Sequence, residues 1–189
     1  MLLGGTIMEF DNVLNSRRTV RLYEDKNVSQ DMINKIIKSA SLAPSAKNRQ
    51  PWKFYILNTT QKNEIANMLL KWDALNRKKK SSAKGSANQI LDANQMIMVY
   101  KDTYKSKFKS MYYTKPDYIS LGCALENMSL ESVNLGLGSC IVCDTLYIAE
   151  EINNYLNITG YEQVCGFILG YPIYDEPQKS KKDIKDLLL

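Results

Sequence analysis

Residues 117–135 carry the longest helical pattern in the chain, and this segment limits the possible folds more than any other. Its apolar side chains surround more than one face of the predicted helix: Ile119, Leu121, Cys123, Ala124, Leu125, Met128 and Val133. A helix at a protein surface has one apolar stripe, whereas a helix that is apolar nearly all round is buried. We therefore expect this helix inside the protein or between two subunits, with Gly136 as its C-terminal stop.

Shorter helix and strand patterns alternate along the rest of the chain. Apolar spacing and capping signals predict helices over 10–15, from Ser29 to just before Pro44, from a cap at Thr60 through Trp72, and over 148–156. Short apolar runs predict strands over 53–57, 96–100, 139–143 and 163–169. Residues 101–116 are expected to be irregular or weakly helical. This alternation predicts an α/β or α+β fold, with helices packed on a small sheet.

No linker or internal repeat divides the 189 residues, so we expect a single domain over residues 1–189. Residues 1–8 are expected to be a flexible leader, and Met8 is an alternative natural start. This leader is too short for a signal peptide and lacks its basic region, and the chain has no run of 18 apolar residues. We therefore predict no membrane span. The four cysteines lie in apolar stretches and are expected to be reduced, which favours a cytoplasmic location.

The chain contains no histidine. This absence excludes Ser-His-Asp and Cys-His triads, HExxH zinc sites and imidazole bases, so an enzyme of this composition needs a cofactor for its chemistry. Cys140 and Cys143 form a CxxC, but no second CxxC follows, and strand alternation directs the two thiols to opposite faces. We therefore predict no metal site. The net charge of +5 is modest, and the basic cluster at 77–86 is interpreted as a solvated loop rather than a nucleic-acid site.

Three short motifs carry polar groups suited to ligand binding. Residues 16–21, SRRTVR, place three arginines around a hydroxyl, and a second cationic cluster, QKSKK, lies at 178–182. The guanidinium fork suits phosphate or carboxylate, so the two clusters would form an anion site if the fold brought them together. The connector APSAKNRQPW at 43–52 holds many groups that need partners. GLGS at 136–139 lacks the third glycine of a dinucleotide fingerprint and follows a helix, which excludes a Rossmann site.

Taken in this order, the motifs resemble those of the nitroreductase family of flavin-dependent oxidoreductases, from about Asp11 to Lys182. The resemblance rests on the arginine box at 17–21, the Pro-Ser-Ala-x-Asn-x-Gln-Pro-Trp stretch ending at Trp52, and Gly-Leu-Gly-Ser-Cys at 136–140. A closing strand that ends in Gly-Tyr-Pro at 170–172 and the basic tail complete it. The resemblance implies an α+β fold with a small mixed central sheet flanked by helices, and an intertwined homodimer with FMN at the subunit interface.

The resemblance also assigns cofactor-binding residues by position. Arg17, Arg18, Thr19 and Arg21 of one subunit are expected at the FMN phosphate, ribityl chain and flavin edge. Pro44, Ser45, Ala46 and Asn48 are expected to reach the same flavin from the other subunit. The segment Ile141, Val142, Cys143 and Asp144 is expected along the isoalloxazine ring, with a backbone N–H near N5. Lys179 and Lys181 match the C-terminal phosphate-binding cations. No metal and no catalytic side chain is implied.

This sequence departs from the family pattern at several of these positions. Thr19 replaces the commoner serine and keeps the hydroxyl, whereas Cys143 and Asp144 stand where glycine is frequent. A carboxylate at Asp144 near N5 would raise the cost of an anionic reduced flavin. Lys181 replaces a frequent arginine, which keeps the charge but loses the bidentate geometry.

The implied function is transfer of hydride from NADH or NADPH, through flavin N5, to a small conjugated acceptor such as a nitroaromatic or a quinone. Cations near the flavin edge stabilise the negative charge of the reduced ring. Two alternatives stay open: a specialised member, such as a substrate dehydrogenase, a dehalogenase or a flavin-processing enzyme, and a non-catalytic flavin-binding protein. We further expect Tyr112 and Tyr113 to border the substrate space, with surface packing as the alternative.

Overall fold

A computed structural model describes residues 9–77, 80–103, 111–174, 177 and 179–189, and of residues 111–113 it describes the backbone. The six helices of these ranges are α1 (Phe10–Ser16), α2 (Gln30–Ser41), α3 (Thr59–Leu75), α4 (Ala83–Asp92), α5 (Met111–Asn134) and α6 (Ala149–Leu156). The four strands are β1 (Trp52–Ile56), β2 (Gln95–Asp102), β3 (Gly138–Val142) and β4 (Tyr161–Gly170). Short 3-10 turns cover Ala46–Asn48, Asp144–Ile148 and Ile184–Asp186.

The four strands form one sheet in the order β1-β2-β4-β3. Every neighbouring pair is antiparallel, with Trp52 opposite Lys101 and Gly138 opposite Gly170. The α+β fold class is confirmed, but the strands are antiparallel rather than mixed. Among the described residues, parallel pairing is found at an isolated bridge between Thr19 and Ser139.

Both faces of the sheet are covered by helices, and the central strand β2 shows this best. All six residues from Met96 to Lys101 are buried, which explains why β2 is a continuous apolar run instead of an alternating one. Met96, Met98 and Tyr100 pack into a core that includes α3, α4 and α6. Ile97 and Val99 pack into a second core built on α2 and α5.

The start of α2 is confirmed, whereas the predicted start of α3 is wrong. Ser29 Oγ accepts a hydrogen bond of 3.3 Å from Met32 N, as expected of an N-cap. The N-cap of α3 is Asn58 and not Thr60, because Asn58 and Gln61 form a reciprocal capping box. Asn58 Oδ1 accepts from Gln61 N at 2.8 Å, and Gln61 Oε1 accepts from Asn58 N at 3.0 Å.

The prediction of a basic loop over 77–86 is wrong in its second half, since α4 begins at Ala83. Ala83, Ala87 and Ile90 are fully buried at helical spacing, although lysines and serines dominate the composition of the segment. Residues 104–110, with Tyr104 and Phe108, lie outside the described residues. The backbone of 111–116 is helical and extends α5 beyond the predicted start, with Pro116 inside the helix.

Helix α5 is not buried all round within the single chain. Leu121, Ala124 and Met128 face the core, but Ile119 is 68% exposed and stands in an exposed stripe with Glu126. The expectation that one chain buries α5 on all sides is therefore wrong for this stripe. The other expectation, that α5 is buried between two subunits, stays a prediction. No helix of the described residues is both long and apolar enough to span a membrane.

Candidate functional site

The fold brings the two cationic segments of the sequence together. After α1 the chain runs in extended form through the arginine box, and the C-terminal segment returns to the same place. Both segments line a cavity of about 120 Å³. Its lining residues are Leu14, Arg17, Arg18, Thr19, Arg21, Pro177, Lys179 and Lys181. Five cationic side chains thus converge on one small space, which is an arrangement suited to a phosphate group.

Contacts with β3 fix the path of the arginine box. Val20 N donates to Ser139 O at 2.9 Å, and Tyr23 Oη donates to Val20 O at 2.6 Å. A Cβ on Gly138 would lie 2.4 Å from Val20 Cγ2, so only glycine allows this approach. Burial raises the pKa of the Tyr23 phenol, which therefore stays a hydrogen-bond donor.

The guanidinium groups of Arg18 and Arg17 have partners within the protein. Arg18 Nη1 donates to the carbonyls of Asn15 and Arg17, but its Nε is buried without a partner among the described residues. The Nε atom of Arg17 lies 3.5 Å from Glu126 Oε1, and both side chains are partly exposed. Arg18 also lines the cavity, so its positive charge favours an anion bound there.

A second cavity, of about 360 Å³, adjoins the first through Arg21, which lines both. It is lined by residues 140–144 at the end of β3, by the α4 N-cap Ser82, and by Gly85, Ser86 and Gln89 of α4. Ile141 and Cys143 are exposed, whereas the Val142 side chain is buried. Val142 can therefore offer a ligand its backbone but not its side chain.

Asp144 is held by two serines that sequence analysis missed. Its Oδ2 accepts hydrogen bonds from Ser82 Oγ at 2.6 Å and from Ser86 Oγ at 2.7 Å. The carboxylate is thus tied to the first turn of α4, where the positive end of the helix dipole favours negative charge. No local pattern could reveal this contact, because about sixty residues separate the partners.

The connector at 44–50 lies apart from both cavities, since none of its residues lines either of them. Ser45 Oγ accepts from Gln50 N at 3.1 Å, and Asn48 Oδ1 accepts from Gln50 Nε2 at 3.2 Å. These polar groups therefore have partners within the connector. Trp52 is buried in the core with α2 and α5, as expected for the anchor of β1.

The four cysteines are free thiols. Cys140 is buried in β3, whereas Cys143 is exposed and lies just beyond the strand, at the start of the 3-10 turn Asp144–Ile148, so its exposure does not follow from strand alternation. Burial raises the pKa of Cys140, with Arg21 acting in the opposite direction. Across the described ranges, no three Cys, Asp or Glu side chains are grouped so that they could hold a metal ion. The side chains of Tyr112 and Tyr113 lie outside the described part of the chain, so their role stays a prediction.

The fold is that of a nitroreductase-like protein. A BluB-like flavoprotein from Clostridium difficile 630 is similar in structure, with a TM-score of 0.79 and 27% identity over 96% of this chain and 98% of that chain. The sequence model of the Nitroreductase family matches residues 14–171. The chain therefore belongs to the nitroreductase family.

Two curated relatives extend the comparison. An iodotyrosine deiodinase of Danio rerio is 25% identical over 199 residues, which cover 95% of this chain and 66% of that protein. A protein of Archaeoglobus fulgidus, provisionally named as an NADH dehydrogenase/NAD(P)H nitroreductase, is 32% identical over 127 residues, or 67% of this chain and 63% of that protein. The chain thus spans less than two thirds of the length of these relatives.

Proposed function

We propose that the protein is an FMN-dependent oxidoreductase that takes hydride from NADH or NADPH and passes it to a small conjugated acceptor, such as a nitroaromatic or a quinone. Membership of the nitroreductase family supports an oxidoreductase. The observation that carries the proposal is the pair of adjoining cavities, one cationic and one beside residues 140–144, with Arg21 lining both.

The residues present fit FMN. Arg17, Arg18, Lys179 and Lys181, which line the cationic cavity, would bind the phosphate. Arg21 would stand between the phosphate and the ring, where its charge favours a negatively charged ring. When bound, FMN supplies hydride-transfer chemistry that no side chain of this chain offers. Asp144 is held by Ser82 and Ser86 at α4, which limits its repulsion of that charge.

We also propose that the active unit is a homodimer. Pro44, Ser45, Ala46 and Asn48 line neither cavity of their own chain, so they would complete the site of a second chain. The exposed Ile119 of α5 and the exposed Leu42 at the end of α2 supply apolar surface for such an interface. The four free thiols are compatible with a cytoplasmic location.

The experiment that tests the proposal is an absorbance spectrum of the purified protein, followed by anaerobic titration with NADH and with NADPH. We expect a flavin spectrum that one nicotinamide bleaches and that an acceptor restores. Bound FMN that neither nicotinamide reduces would favour the non-catalytic flavin-binding alternative. Protein that does not bind added FMN would refute the cofactor assignment.

Arg17→Ala tests the phosphate assignment. Because a hydrogen bond to a charged group contributes about 1.5–3 kcal/mol, we expect FMN affinity to fall by roughly 10- to 150-fold. Riboflavin lacks the phosphate, so its affinity should change little. Lys71→Ala, which removes an exposed cation of α3 away from both cavities, is the matched control. Equal losses for FMN and riboflavin in Arg17→Ala would contradict the assignment.

Reductive dehalogenation is a second candidate function, because the deiodinase similarity extends over 95% of the chain. The two functions differ in the acceptor that reoxidises the reduced protein. Stopped-flow reoxidation should compare a nitroaromatic, a quinone and a halogenated tyrosine at equal concentration. Fast reoxidation with halide release from the halogenated tyrosine alone would favour the dehalogenase.

A further inference from the structure

The connector at 44–50 adopts a backbone conformation that its residues do not favour by themselves. Lys47, Asn48 and Gln50 have positive φ angles of 55°, 51° and 49°, although none of them is glycine. Such left-handed conformations are sterically disfavoured for residues with a Cβ, and they persist only where surrounding contacts impose them. Hydrogen bonds within the connector, such as that from Gln50 N to Ser45 Oγ, support part of this shape, and contacts from outside the connector add to that support.

Helix α5 provides that support through a buried ion pair. Arg49 Nη2 and Nε donate to Asp117 Oδ1 at 2.6 and 3.1 Å. The Arg49 side chain is 14% exposed and the Asp117 side chain 3%. One turn further along α5, Ser120 Oγ accepts from Ala46 N at 3.3 Å. Positions 117 and 120 lie on the same helix face, so α5 anchors the connector at both of its halves.

Fold stability alone does not explain this ion pair. Removing two charges from water is costly, and apolar residues of similar volume at such sites are often as stabilising or more so. The same connector exposes the polar side chains of Asn48 and Gln50. A fixed, exposed set of polar groups is what a ligand-binding segment requires, since a loop that is already ordered loses less entropy on binding.

We propose that Arg49 and Asp117 are positioning residues, whose ion pair holds the connector in the conformation that receives the flavin bound by the second subunit. This inference rests on the proposed function, because it takes FMN as the ligand and the homodimer as the active unit. Arg49 and Asp117 act through Ser45, Ala46 and Asn48, and neither is assigned a contact with the flavin.

The decisive variant replaces both charges by apolar side chains, Arg49→Met with Asp117→Leu. Since an apolar pair can match a buried ion pair in stability, we expect a melting temperature close to that of the wild type. FMN and riboflavin affinities should both fall, by the same factor of roughly tenfold or more, because the connector is proposed to contact the ring and not the phosphate. Arg17→Ala differs, since it should affect FMN far more than riboflavin.

Two further variants separate positioning from folding. Arg49→Lys keeps the charge but loses the two-pronged contact, so it should give an intermediate loss of affinity. Glu162→Gln is the matched control, because Glu162 forms a partly buried ion pair of 2.9 Å with Lys101 outside the connector. That variant should lower the melting temperature without weakening flavin binding. Wild-type affinity for FMN in the apolar double variant would overturn the proposal.

Hydrogen exchange of the flavin-free protein tests, independently of the cofactor, whether the ion pair orders the connector. The amides of residues 45–50 should exchange at least about tenfold faster in the apolar double variant than in the wild type, while those of β2 should not change. Unchanged exchange at 45–50 would refute the positioning role even if FMN binds. If the wild type does not bind FMN, the proposed function fails, and faster exchange in the variant would still establish that the pair orders the connector.

Discussion

Replacement of Gly138 by alanine tests whether the contact between the arginine box and β3 shapes the cation cavity. A Cβ at position 138 would lie 2.4 Å from Cγ2, 2.6 Å from Cβ and 2.8 Å from Cγ1 of Val20. Carbon atoms in contact are about 3.5–4.0 Å apart, so the two backbones would have to separate by about 1 Å. Val20 cannot rotate out of the way, because its Cβ and both methyl groups are all too close.

The expected loss of stability follows from this geometry. Overpacking of a well-packed site costs about 1–3 kcal/mol, and weakening the 2.9 Å hydrogen bond from Val20 N to Ser139 O adds about 1 kcal/mol. We therefore expect Gly138→Ala to lower the free energy of unfolding by about 2–4 kcal/mol. FMN affinity should fall as well, because Arg17, Arg18 and Thr19 move with the displaced segment.

Urea denaturation of the flavin-free protein measures the loss, and a double-mutant cycle with Val20→Gly identifies its cause. Val20→Gly removes all three clashing atoms, so the two substitutions together should cost at least about 1 kcal/mol less than the sum of the single losses. Gly85→Ala is the control, because nothing lies within 4 Å of an added Cβ there and alanine favours a helix. Additive losses in the cycle would refute the reasoning.

Three other predictions concern single interactions. Burial raises the pKa of Tyr100 from 10 to about 12, so the unfolded state loses the phenol proton first as the pH rises. The free energy of unfolding should therefore fall between about pH 10 and pH 12. Urea titrations at several pH values should show a smaller fall for Tyr100→Phe. Lys62 Nζ donates to three carbonyls at the end of α4. We therefore expect Lys62→Met to lower the free energy of unfolding by about 2–3 kcal/mol in thermal or urea unfolding. A loss of less than about 1 kcal/mol would contradict this role of Lys62. Alanine at both Ser82 and Ser86 should free the Asp144 carboxylate and lower the midpoint potential of bound flavin by roughly 20 mV, whereas an unchanged potential in spectroelectrochemistry would place Asp144 away from the ring.

Most helices and strands could be predicted from local patterns, because apolar spacing and caps act over a few residues. The Ser29 cap of α2 and the strand at 96–100 are examples, and both are confirmed within one or two residues. The predicted Thr60 cap is wrong, since Asn58 and Gln61 cap each other. Helix α4 was missed altogether because only Ala83, Ala87 and Ile90 are buried on its apolar face, and alanine gives a weak signal.

The candidate site could be predicted only as separate motifs. Arg17 and Arg21 can bind anions because each carries a guanidinium group, and this property can be read from the residue type alone. Their convergence with Lys179 and Lys181 depends on how the C-terminal segment returns across the fold. The contact of Asp144 with α4 and the support of Arg49 by α5 likewise join residues that are far apart in the chain.

By itself, the sequence determined which chemistry is possible: no histidine, three clustered arginines, and a polar connector with the pattern of the nitroreductase family. Side-chain chemistry and local spacing are encoded residue by residue, so they can be read before folding. The tertiary structure decided which of these groups meet, through the close approach of Val20 to Gly138 and through the ion pair that holds the connector. Such contacts depend on the packing of distant segments, and packing is a property of the whole chain.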